Sequence, residues 1–152
     1  MIKSNTIIIH APLADIFTVA SDLPRWPEYL SHYRYNTFLS QMPWGGVVKM
    51  CAVRSGIKTS WVSVYRIDAE NQQLLFDHQK SFLNATRGMK VVWTFQELPE
   101  GGVKVEIIHD HELNWPIIGS FVNKWFVNGF FIHHIASLTL AGLKRKMESQ
   151  SA

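Results

Sequence analysis

The chain opens on a β-branched, apolar run from Asn5 to His10 that predicts a strand. Ala11-Pro12 breaks it. Pro12 suits the first turn of a helix, and Ile16, Phe17 and Ala20 give that helix an apolar face as far as Ser21. Asp22 to Leu30 carries Pro24 and Pro27, which permit only a short helix or turns. The period then changes to two. Tyr33 to Met42 predicts a strand ending at Pro43, Gly45-Gly46 a turn, and Val47 to Arg54 a strand with Val48, Met50, Ala52 and Arg54 in one phase. After Ser55-Gly56, Ile57 to Asp68 collects Ile57, Thr59, Trp61, Ser63, Tyr65 and Ile67 on one face. Leu74 to Lys80 predicts a further strand, and Ala85 to Glu97 another, with Met89, Val91, Trp93 and Phe95 in phase. Pro99-Glu100-Gly101-Gly102 is a hairpin turn. Beyond it Val103, Val105, Ile107, His109, His111 and Leu113 share a face, while Lys104, Glu106, Asp110 and Glu112 take most of the other.

Such alternation predicts an antiparallel sheet with one wet face. Pro116 ends it, and Ile117 to about Glu148 predicts one long helix, with Phe121, Trp125, Ile132, Ala136 and Leu143 along a stripe. The order is one strand, two short helices, six strands and a long helix. The expected fold is therefore α+β: a curved seven-stranded antiparallel sheet wrapped around the C-terminal helix as a single domain. The space between sheet and helix is too wide for side chains alone to fill, so a ligand cavity is expected.

Composition narrows the function. The chain has 152 residues, 47% hydrophobic and 18% charged, which excludes a disordered chain. The net charge is +3, but Lys and Arg are scattered, so no nucleic-acid partner is expected. One cysteine, Cys51, rules out an intrachain disulfide and suits a reducing compartment. The N-terminal apolar run is too short for a signal peptide. The apolar stretch from Ile117 to Leu143 contains Asn123, Lys124, Asn128, His133 and His134, which argue against a bilayer span. A cytoplasmic protein is expected. Trp125-Phe126 and Phe130-Phe131 are adjacent pairs, so some aromatics should emerge on the helix's outer side, as a homodimer interface, a membrane-docking surface or a hydrophobic entrance.

Several short segments then become recognisable in their order and spacing. Asn5 to Pro12 (NTIIIHAP), followed by Phe17, Ser21-Asp22 and Trp26-Pro27-Glu28-Tyr29, resembles the start of the polyketide aromatase/cyclase family, within the START-like helix-grip superfamily. Trp61-Val62-Ser63, Val92-Trp93-Thr94-Phe95 and Asp110-His111-Glu112-Leu113 extend the resemblance over nearly the whole chain. It implies a helix-grip fold and an enzyme that folds a poly-β-keto chain, closes a ring by intramolecular aldol addition and dehydrates it. It further implies no metal or organic cofactor, and a substrate delivered on an acyl carrier protein. A non-enzymatic lipid or quinone carrier of the same superfamily is the alternative.

That chemistry needs an enclosing apolar pocket, an oxyanion stabiliser and a proton carrier. Trp26, Trp61 and Trp93 are candidate walls, or plain core aromatics. Met89 lies in phase with Trp93. Tyr33, Ser63 and Tyr65 are candidate donors to substrate carbonyls. His109, on the inward phase of the last strand, is the candidate acid–base, or a core histidine. The family pattern places an inward arginine two residues beyond the serine of Trp-Val-Ser; here Tyr65 stands there, and Arg66 follows in the opposite phase. A β-bulge would swing Arg66 inward; without one it is a solvated charge. Arg54 is the alternative cation from a neighbouring strand, and Arg87 lies in phase with Met89 near the expected cavity mouth. No zinc motif, nucleophile elbow or phosphate-binding glycine loop is seen.

Overall fold

A computed structural model describes residues 2–54, 56–81, 89–110 and 130–150, with the side chains of 2, 3, 54, 57, 80, 81, 130–134 and 150 set aside. The described strands are β1 (Ile2–Ile9), β2 (Tyr33–Met42), β3 (Gly45–Arg54), β4 (Ile57–Asp68), β5 (Gln73–Ser81), β6 (Lys90–Glu97) and β7 (Val103–Asp110). Helix α1 (Leu13–Ser21) and a 3-10 helix (Leu23–Glu28) follow β1, and helix α2 (Phe130–Gln150) closes the chain. The strands form one sheet in the order β1-β7-β6-β5-β4-β3-β2, each neighbouring pair antiparallel.

Alternation does what the hydrophobic pattern predicts. Val103, Val105, Ile107 and His109 are buried along β7, and the residues between them are half-exposed. β6 buries Val91, Trp93 and Phe95 in the same way. Against this face pack Ile135, Ala136, Thr139, Leu140, Leu143 and Met147, the inner stripe of α2. Gly142 lies on that stripe too, and a Cβ there would collide with Leu30, so the glycine permits the close approach of α2. The helix is also clipped to the β1 edge. Lys144 Nζ donates to the Ile8 carbonyl at 2.6 Å and pairs with Glu148 at 2.8 Å, and Glu148 accepts from the His10 backbone N–H at 2.9 Å.

One turn differs from expectation. Gly45 and Gly46 are the first residues of β3, and the reversal falls on Pro43-Trp44. At both glycines φ is near +140°, and an added Cβ would strike the Tyr65 or Ser40 carbonyl. They serve close backbone approach within the sheet, a common use of strand glycine. The predicted extensions of strands to Ala85 and Leu113, the start of the long helix at Ile117, and the outward aromatics Trp125 and Phe126 lie outside the described residues. So do the side chains of Phe130 and Phe131. No helix among the described residues is long and apolar enough to cross a membrane.

Candidate functional site

The inner face of the sheet divides into two regions. In the first, polar side chains cap α1. This helix lacks a glycine C-cap, and its final carbonyls need donors. Trp26 Nε1–H donates to Ala20 O at 3.0 Å, the Tyr65 hydroxyl to Ser21 O at 2.9 Å, and the Asp22 N–H to Val19 O at 3.3 Å. The Asn36 amide donates to Leu23 O at 2.9 Å, its Oδ1 staying unbonded. Burial pushes the Tyr65 phenol well above its ordinary range, so it stays a neutral donor. Trp26 packs edge-on to Tyr33 at 5.0 Å and lies 5.5 Å from Trp93. Tyr65, expected as a donor to ligand, is therefore engaged by a helix carbonyl, as is the ring nitrogen of the candidate wall Trp26. Only the Trp26 ring remains as part of an apolar wall.

The second region lies further along the same strands, toward the Ile57 end of β4. Trp61 Nε1, Ser63 Oγ and His109 Nδ1 are buried there with no hydrogen-bond partner among the described residues. Leaving such a group buried and unbonded costs about 1–3 kcal/mol each. Ser63 is fully buried and His109 is 8% exposed. Burial lowers the His109 pKa to about 4, so the ring is neutral at neutral pH. Met89, just before β6, and Trp93 on β6 are buried, and Trp61 faces Tyr33 at 6.2 Å.

Tyr33 sits where α2 closes on the sheet. The Thr139 hydroxyl donates to Ile135 O at 2.7 Å, so it receives the proton of His32 Nε2, 2.8 Å away. That hydroxyl also bonds Tyr33, whose phenol is raised above its ordinary range chiefly by burial. Tyr33 is thus tied to the grip of α2.

Arg66 is corrected. It is exposed, with its guanidinium over the Trp44 ring at 5.9 Å. β4 keeps strict alternation through Ser63, Tyr65 and Arg66, so nothing turns Arg66 inward. The irregularity lies on β5 instead: Val62 pairs with Lys80 but Ser63 with His78, leaving Gln79 as the extra residue. His78, just before the bulge, is buried on the inner face, its ring stacked on Trp61 at 5.8 Å and 25°. The sequence reading missed it, although His78 shares the phase of Leu74 and Phe76. The side chains of Arg54 and Arg87 lie outside the described residues. Among the described residues no lysine or arginine is buried.

A seven-stranded antiparallel sheet gripping a C-terminal helix, with two short helices after the first strand, defines the START-like helix-grip class. Solved structures share it. An aromatase/cyclase from Streptomyces sp. R1128 superposes with a TM-score of 0.86 at 12% identity, covering 100% of this chain and 96% of that one. A Thermus thermophilus protein superposes with a TM-score of 0.80 at 23% identity, covering 100% of both chains. The sequence pattern of the family described as "Polyketide cyclase / dehydrase and lipid transport" matches residues 9–127, and the chain belongs to that family. A Streptomyces cyaneus protein named "Putative polyketide cyclase" is 30% identical over 99 residues, 64% of each chain, so the aligned part spans under two-thirds of that relative's length.

Proposed function

We propose that the chain encloses a poly-β-ketone delivered on an acyl carrier protein, promotes its intramolecular aldol closure, and dehydrates the product. The observation that carries this reading is the set of inward polar atoms on Trp61, Ser63 and His109 that have no hydrogen-bond partner among the described residues, in a face that is mostly apolar. A poly-β-ketone supplies the matching oxygens along an apolar chain. Trp61, Trp93 and Met89, backed by the Trp26 and Tyr33 rings, restrict its shape, and Ser63 orients a carbonyl. His109 takes a proton from a methylene between two ketones at Nδ1. The resulting enolate carbon attacks a distant ketone carbon, and the alkoxide receives the proton back from His109. Loss of a second methylene proton with the hydroxyl group releases water and leaves a carbon–carbon double bond. Arg54, in phase with Met50 and Ala52, is the proposed cation for the alkoxide, and Arg87 a contact near the mouth.

A second reading is a lipid or quinone carrier. It is favoured by the absence of a buried cation among the described residues and by the lipid-transport part of the family description. Native mass spectrometry and organic extraction of the purified protein, then incubation with a carrier-bound poly-β-ketone, separate the two. A new aromatic product whose yield falls in His109→Gln establishes the cyclase. Bound lipid or quinone with no product establishes the carrier.

A further inference from the structure

His78 is the inward polar side chain to which the cyclase mechanism gives no part. It is 6% exposed on β5, in phase with Leu74 and Phe76. The pairing that runs unbroken from Asp68–Gln73 ends at Ser63, which it sets opposite His78; the extra residue, Gln79, follows and shifts only Lys80 and Ser81. Directly opposed residues carry their Cβ atoms about 5 Å apart, which brings the imidazole and the hydroxyl within reach of one ligand atom. Gln79 turns outward and bonds the Asp77 carbonyl at 3.2 Å. Stacking on Trp61 fixes the imidazole plane. On β4 the next inward donor, Tyr65, is already bonded to Ser21 O, and Arg66 is on the outer face.

We infer that Ser63 and His78 form a two-point subsite for one oxygen of an enolisable β-dicarbonyl, with His78 as a specificity-determining contact. A hydroxyl beside an imidazole suits a ketone or enol oxygen. A carboxylate would call for a cation, and a hydrocarbon would leave the Ser63 hydroxyl without a partner among the described residues. The inference rests on the reading above only in placing ligand on this inner face.

The test titrates the protein with 1-phenyl-1,3-butanedione and with butylbenzene, which has a similar apolar body and no oxygen. The wild type prefers the diketone. His78→Phe lowers diketone affinity about tenfold while butylbenzene affinity stays within about twofold, and His78→Gln, which keeps a donor, recovers most of the loss. Ser63→Ala gives a similar selective loss and replaces His78→Phe if that variant does not fold. A diketone preference unchanged in Ser63→Ala and the His78 variants overturns the subsite, as does equal weakening of both ligands. Selective diketone binding that depends on His78, with no conversion of a carrier-bound polyketone, upholds the subsite and removes the cyclase. Conversion that His78→Phe leaves intact, with an unchanged diketone preference, does the reverse.

Discussion

Ser63 and Tyr65 are two residues apart on β4, face the same way and are both fully buried, yet their hydroxyls have opposite fates. Tyr65 reaches the end of α1 and satisfies a helix carbonyl; Ser63 meets no partner among the described residues. The same division separates Trp26, which caps α1, from Trp61, whose ring nitrogen meets no partner among the described residues. Residue types alone therefore do not distinguish scaffold from site. The distinction lies in whether a backbone acceptor is within reach. The α1 end uses most of its polar atoms in folding, and the Trp61–Ser63–His109 region leaves polar atoms without a partner among the described residues.

The largest effect is expected at the scaffold end. Trp26→Ala removes a buried ring and a cap, and should cost about 3–5 kcal/mol in denaturant unfolding. A loss under about 1 kcal/mol would show that α1 does not depend on this contact.

Next comes the pH dependence of His109. Its pKa is near 6.5 when unfolded and about 4 when folded. Above pH 6.5 both states are neutral and the group contributes no slope. Between 6.5 and about 4 the unfolded state binds the proton and the folded state does not, so stability falls as pH falls. The total from this group is up to about 3 kcal/mol, and it levels off below the folded pKa. The difference between wild type and His109→Gln isolates it. A flat difference across that window would mean that His109 is accessible to solvent or paired.

A smaller effect is expected for Arg66→Ala. The exposed contact with Trp44 is worth about 0.5–1 kcal/mol at most, and binding of 1-phenyl-1,3-butanedione should be unchanged. Weakened binding would place Arg66 in the site after all.

Much of the sheet was legible in advance, because alternation in β4, β6 and β7 names the inward residues one by one. His109 and Trp93 follow from phase alone. The facing of Arg66 does not, because phase leaves a bulge open, and only the uninterrupted register of β4 against β3 decides it. The fates of Trp26 and Tyr65 do not, because their acceptors are α1 carbonyls brought close only by tertiary packing. Nor does His78 stand out: phase turns it inward, but its place opposite Ser63 depends on how β4 and β5 are registered, which only the paired strands reveal. Gly45-Gly46 resembles a turn by composition, whereas its use is steric, and only the neighbouring strands reveal it.

The most direct test of the division is the pair Tyr65→Phe and Ser63→Ala, each measured for unfolding free energy and for affinity toward 1-phenyl-1,3-butanedione. Tyr65→Phe should lose about 1 kcal/mol of stability and bind the diketone as the wild type does. Ser63→Ala should keep its stability, or gain slightly, and bind several-fold more weakly, by about the worth of one hydrogen bond. The reverse pattern, with Ser63→Ala unstable and Tyr65→Phe defective in binding, would contradict the assignment of scaffold and site.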